Sequence, residues 1–580
     1  MSSRVMPLRC LVFAAAFAAM HHGQGAAYGQ TDACANDVNA ECGSSGGMIL
    51  GAASNFSQGW RDVTFEAAID LGLTHFRDGI RWPRIERERG EYQFDQRETQ
   101  YPARIAERGA ELVLTVNWGN PLYDEGKTPH TAEALAAFGQ FVAALVERYP
   151  SITTVEVGNE FNGQNFVSGQ VERDGLAQRG AYHLAMLEAV ASRVRVVRPG
   201  VRILGGAAHS IPAGYLWPIL SGGGADLMDG LAIHPYTTSI DQLAGQIGVL
   251  RRNPAARSLS IEVTEFGSDN AARAADDLVR AYAVLASAGV AALYWYPLNE
   301  REDGMTPLLT RDGSVTTAGE AFRFIQQALA NVPARDISPD PFTRVHSFGD
   351  RAMVLWGEPR DIIVDRDDVT AFDARGRQVS GRLRLQPDKA LVLLGDAPLG
   401  IGNGVILGCS ALVADTLYQF DLTDGEPATG PGFVPTLVLD GQRRGWEVLP
   451  GQQRGGVPWT PYLGVADMPN LRLAEDRLSM AVGRRGTAQI AHTFTSDKAA
   501  RLRLEASLTS DNAEANGLTL SVAADGLVID TIIGRDSLVV DRILELQDGA
   551  ALEVSVTPTA NQTHGRASYR YRLTDPARCE

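Results

Sequence analysis

Cysteine is scarce in this chain, with five among 580 residues. No CxxC pair and no cluster of histidine with cysteine occurs, so the donor sets of structural zinc are missing and no metal or cofactor is expected. No apolar run is long enough to span a bilayer. No glycine fingerprint for a dinucleotide, no phosphate loop and no Ser-His-Asp set stands out. Excess positive charge is missing too: 53 Lys and Arg face 69 Asp and Glu, a formal net charge of −16. That balance argues against nucleic acid or an anionic membrane as partner.

What is present reads as an exported multidomain protein. At 44% hydrophobic residues the composition is that of folded globular domains, and the length asks for more than one. Residues 1–29 carry Arg4 and Arg9, then the short apolar run "CLVFAAAFAAM", then small residues in "GQGAAYG". That order is a secretory leader, which makes a periplasmic or secreted location the expectation. Cys10 precedes the apolar run, so no lipobox follows it. Four cysteines then remain, and proximity favours Cys34 with Cys42 and Cys409 with Cys579 among three possible pairings. A monomer is the default expectation.

Beyond a short segment, 30–47, apolar runs alternate with stretches of helical periodicity through residue 332. The runs are "MILGAAS", "THFRDGI", "ELVLTVNW", "TTVEVGNE", "RILGGAAHS", "GLAIHPY", "LSIEVTEF" and "ALYWYPLN". Eight strand-and-helix units predict an α/β fold, a (β/α)8 TIM barrel over 48–332. After a linker-like "VPARDISPDP" the texture becomes short alternating strands with Asp, Gly and Pro turns. A small β-domain over 333–398 and a C-terminal β-sandwich over 399–580 are expected.

A TIM barrel carries its site at the C-terminal ends of the strands. Those ends bear Arg77, Arg81 and Trp82, then Asn117, Trp118 and Asn120, then Asn159 and Glu160. His209, His234 with Tyr236, Glu265, and Trp295 with Asn299 follow. Glu160 and Glu265, three strands apart, would face each other across the mouth. Two opposed carboxylates with unequal pKa values suit glycosidic bond cleavage, and nearby indoles suit the C–H faces of sugars. Glu156 is four residues before Glu160, on the same side of its strand, and reads as a buried structural partner of Arg77.

"VEVGNEFN", "IEVTEFG", "HPY" and Trp295 together resemble clan A glycoside hydrolases, with "FRDGIRWPRIERERGEYQFD" similar to that clan's second strand and loop. The chain looks nearest to glycoside hydrolase family 39, among bacterial endoglycosidases of exopolysaccharide and biofilm matrices. The resemblance implies Glu160 as acid/base and Glu265 as nucleophile of a retaining double displacement. It implies substrate contacts from Asn159, toward the sugar 2-hydroxyl, and from Trp295 as a subsite floor. Tyr236 would orient Glu265, with His234 and Arg77 in support, and Trp118 and Trp82 are further contact candidates. One departure is Gly158, where many relatives carry tryptophan, which implies a roomier mouth. In the last module "GQQRGGVPWTPYLG" resembles a lectin-like or carbohydrate-binding sandwich, with Trp446, Trp459 and Tyr462 as the contacts if it binds sugar, and a purely structural jelly roll is the alternative. The expectation is a hydrolase acting within a β-linked polysaccharide. An exo-acting, β-xylosidase-like enzyme and a non-catalytic polysaccharide-binding protein are the alternatives.

Overall fold

The computed structural model describes residues 46–422, 432–468, 470–480, 488–511, 517–559 and 565–579. The expected leader, Cys34 and Cys42 lie outside the described residues, and so does the bridge expected between those two cysteines. Among the described residues no helix is long and apolar enough to cross a membrane.

Eight parallel strands close a barrel. They are β1 Ile49–Ala53, β2 His75–Gly79, β3 Glu111–Val116, β4 Ile152–Val157, β5 Arg202–His209, β6 Gly230–His234, β7 Ser260–Phe266 and β8 Ala292–Trp295. Each is followed by a helix on the outside: α1 Asp62–Asp70, α2 Arg97–Glu107, α3 Ala132–Arg148, α4 Leu176–Val197, α5 Ala213–Ser221, α6 Leu243–Leu250, α7 Ala274–Ser287 and α8 Thr317–Ala328. Parallel strands are covered on both faces, which is why they were visible as apolar runs. Helix starts are set locally: Thr131 accepts from Ala134 N at 3.3 Å and Thr316 from Gly319 N at 3.1 Å.

Along β4 and β7 the apolar Val155, Val157, Ile261 and Val263 alternate with Thr154, Glu156, Glu262 and Thr264, all buried. Val113, Leu204, Ala207, Ala232, Ala292 and Tyr294 form a buried apolar cluster on these strands. Gly51 makes room there, since a Cβ on it would stand 2.5 Å from the Tyr294 ring. Toward the C-terminal strand ends the buried polar side chains Arg77, Glu156, Thr115 and Thr264 gather, and this is where the site begins.

Two smaller sheets follow. One has five strands in the order Ala334–Asp336, Thr343–Phe348, Ala352–Gly357, Leu391–Gly395, Val369–Phe372. The other pairs Leu383–Arg384, Asp361–Val364, Gly404–Leu407 and Gly400–Ile401. Since Gly404–Leu407 pairs with Asp361–Val364, this unit continues past the expected division at 398. The β-rich C-terminal part is built on an eight-stranded and a six-stranded sheet, with antiparallel pairing throughout. The last strand, Arg566–Thr574, lies inside the larger sheet between Arg477–Met480 and Ala500–Ser510. Cys409 and Cys579 form a disulfide, with Cα atoms 5.6 Å apart across 170 residues of sequence. Closing a loop of that length removes unfolded-chain entropy, about 5 kcal/mol in the chain-entropy picture.

Candidate active site

Arg77 organises the barrel mouth from β2. Its Nε donates to Glu156 Oε2 at 2.5 Å, one terminal nitrogen donates to Glu265 Oε1, and the other donates to Asn159 Oδ1 at 2.9 Å. Glu156 sits fully buried on β4 and accepts from Thr115 Oγ1 and Thr264 Oγ1, each at 2.7 Å. A buried carboxylate is costly unless its lone pairs are filled, and here they are. Burial would raise the Glu156 pKa, but Arg77 and His234 outweigh it and hold the group well below the usual range. The same carboxylates push the Arg77 guanidinium upward against its burial.

Beyond Val157 the chain leaves β4 through Gly158, at φ 91°, and Glu160 takes the left-handed region at φ 44°. Such a conformation is uncommon for a residue with a side chain and gathers at functional sites. It is held by Glu160 N donating to Ala207 O at 2.5 Å and by Asn159 N donating to Asn117 Oδ1 at 3.1 Å. Gly158 does not enlarge the mouth, contrary to expectation. A Cβ on it would point toward α4, 3.1 Å from Cε1 of buried His183.

Glu160 Oε1 lies 3.0 Å from His209 Nδ1 and 3.3 Å from His234 Nδ1. His234 is wholly buried; its Nε2 is 3.0 Å from Thr264 Oγ1, and its Nδ1 is also 3.9 Å from Glu265 Oε2. Burial would lower its pKa, yet Glu265, Glu156 and Glu160 together raise it to about 9. His234 is therefore an imidazolium at neutral pH. Glu160, whose burial would raise it, is held below the usual carboxylate range by hydrogen bonds from His209 and His234. The free site thus keeps Glu160 ionised and stores the nearby proton on His234, whereas the expectation placed it on a carboxyl. Tyr236 donates to Glu265 Oε2 at 3.1 Å, and burial beside that carboxylate lifts the phenol far up.

One carboxylate oxygen of Glu160, one ring nitrogen of His234 and one carboxylate oxygen of Glu265 lie within 4.8 Å of one another. The donor types could hold a cation. The Arg77 guanidinium, bonded to Glu265, already brings positive charge to the edge of this cluster.

The tryptophans divide. Trp118, at the end of β3, is 36% exposed and stands at the mouth, its ring over Gly79. Trp82 is fully buried, stacked between Tyr123 and Phe141 at 5.2 and 5.5 Å, with its N–H on Glu86. It is barrel core and offers a sugar no face. Trp295 is likewise enclosed, edge-on to Phe266 with Nε1 donating to Thr306 O at 2.9 Å, so the expected subsite floor is covered. Trp217 packs against the outer helices, donating to Leu250 O. In the C-terminal module Trp446 and Tyr462 are each 4% exposed, which removes two of its three expected contacts.

Three residues given no role from sequence belong to the site. His209 touches Glu160, and Asn162 ties His209 down, accepting from its N–H at 2.9 Å and donating to its carbonyl at 3.1 Å. Gln452 reaches in from the C-terminal sandwich to accept from Asn162 Nδ2 at 2.6 Å. The address of His209 at a strand end was the available sign; nothing local in sequence brings residue 452 to residue 162.

No family model matches the chain, and no curated protein matches it. Among solved structures it is similar to a family 39 glycoside hydrolase from the gut symbiont Bacteroides cellulosilyticus WH2, at 19% identity and a TM-score of 0.48, over 60% of this chain and 80% of that one. A GH30 endoxylanase from Clostridium papyrosolvens C71 is similar at 13% identity and 0.44, over 60% and 97%. A monomeric β-xylosidase from Caulobacter crescentus CB15 is similar at 12% and 0.43, over 88% and 96%. Likenesses this distant assign no family, and the chemistry has to be argued from the residues.

Proposed function

We propose that the chain is an exported, retaining glycoside hydrolase that cleaves β-glycosidic bonds within a polysaccharide, a bacterial exopolysaccharide. The observation that carries the reading is the approach of Glu160 and Glu265 oxygens to within 4.8 Å. Retaining enzymes hold their carboxyl groups about 5 Å apart, whereas inverting ones leave roughly 6.5–9.5 Å for a water molecule. The leader at 1–29 supports export.

Glu265, fixed by Arg77 and Tyr236, attacks the anomeric carbon while the departing glycosidic oxygen takes a proton from Glu160. That proton comes from His234 Nδ1, 3.3 Å from Glu160 Oε1. Its transfer leaves a neutral imidazole and a neutral carboxyl, and the cluster titrates as one unit. In the second half Glu160, now the base, activates water to release the sugar from Glu265. Asn159, with its oxygen taken by Arg77, presents its amide N–H to the sugar 2-hydroxyl.

The test is product analysis on a panel of β-linked polysaccharides with wild type, Glu160→Gln and Glu265→Gln. Internal oligosaccharides of unchanged anomeric configuration are expected from wild type, with roughly 10²- to 10⁴-fold lower turnover in Glu160→Gln and no cleavage in Glu265→Gln. Terminal monosaccharides alone would replace the endo mode by an exo mode. Binding without cleavage, equal in all three proteins, would reject the enzyme.

A further inference from the structure

The hairpin Glu447–Leu449 and Tyr462–Gly464 belongs to the C-terminal sandwich, yet its connecting loop lies against the mouth of the barrel. Gly214 N, at the start of α5, donates to Pro450 O at 2.9 Å, and a Cβ on Gly214 would stand 2.1 Å from Gly451 O. Asn162 and Gln452, 2% and 5% exposed, are bonded at 2.6 Å beneath the loop. Gln452 N in turn donates to Pro458 O at 2.7 Å, which fixes the approach to Trp459. The Trp459 ring meets His209 edge to face, centroids 5.1 Å apart at 87°, and a Cβ on Gly163 would lie 3.8 Å from its Cη2. It remains 38% exposed.

An aromatic ring held on a buried amide pair but left open on one side is how a protein presents a surface to a sugar face. Its position tells which sugar. In the proposed mechanism Glu160 gives its proton to the leaving oxygen, so the departing sugar lies on the Glu160 side. Trp459 touches that side twice, through His209 and through the turn from Glu160 to Gly163. We infer that the loop 450–461 of the C-terminal sandwich is a wall of the catalytic cleft and that Trp459 is the platform for the leaving-side sugar. The last module thus acts within the active site rather than as a separate carbohydrate-binding surface. This inference rests on the glycosidase reading above.

The experiment compares wild type, Trp459→Ala and Trp459→Phe on two probes. One is reducing-end-labelled β-linked gluco-, xylo- and manno-oligosaccharides. The other is the matching dinitrophenyl β-glycosides, whose leaving group carries no sugar and needs no proton. For Trp459→Ala the loss of kcat/KM on oligosaccharides should exceed its loss on the aryl glycoside by roughly tenfold or more. Trp459→Phe should recover most of the difference. Equal losses on both probes, or no loss on oligosaccharides, would overturn the platform while leaving the glycosidase standing. A wild type that cleaves neither these probes nor any polysaccharide of the panel would bring down the glycosidase reading and this inference with it.

Discussion

His234 touches more of the proposed chemistry than any carboxylate does. Its raised pKa, about 9, makes it the proton store of the free site, and this has a measurable sign. Cleavage of a sugar leaving group should fall as pH rises through about 9, when the shared proton is lost, because Glu160 then has none to receive. The dinitrophenyl glycoside, which needs no acid, should show no such limb; a limb on both substrates would place the titrating group elsewhere. At this scale Glu160, Glu265 and Tyr236 were legible, because a strand-end address fixes which residues reach the mouth. The orientation of an indole was not. Trp82 and Trp295 share strand-end addresses with Trp118, but the rings of the first two turn into packing that only the assembled helices and loops create.

Among the elements, the strand-to-loop exit at Gly158 constrains the site most tightly. Gly158→Ala would force a side chain into φ 91° and bring a methyl group to 3.1 Å from His183. A destabilisation of about 1–3 kcal/mol is expected, read by chemical denaturation, together with lower activity as Glu160 shifts. An unchanged midpoint and rate would show that the exit relaxes freely. From sequence this glycine reads as an empty place beside the sugar, since a motif shows which residue is missing but not where its side chain would point. The eight strands themselves were legible because strands covered on both faces must be apolar nearly throughout. The edge of the small β-unit was not, because Gly404–Leu407 returns to a strand some forty residues earlier, a pairing that no local pattern encodes.

Across the whole molecule the barrel and the sandwich meet at a second place with its own pH dependence. Glu475 of the sandwich accepts from Ser239 Oγ of the barrel at 2.9 Å. Burial first, then the neighbouring Asp476 and Asp241, raise its pKa to about 7. A carboxyl raised in the folded state contributes stability that is complete below its unfolded pKa and lost as pH climbs through about 7. Glu475→Gln should therefore be more stable than wild type above pH 7, by roughly 1–3 kcal/mol with allowance for solvent screening, and show a flatter pH profile of the unfolding midpoint. Parallel profiles for the two proteins would exclude Glu475 as the source. The hairpin that leans on the barrel mouth hangs from a sheet whose inner strand, Arg566–Thr574, is the final strand of the chain, locked nearby by Cys579. That sheet cannot close until Arg566–Thr574 stands between its two neighbours. A barrel folded by itself would lack the hairpin at its mouth, so completion of that rim is tied to the closing of a sheet in another part of the molecule.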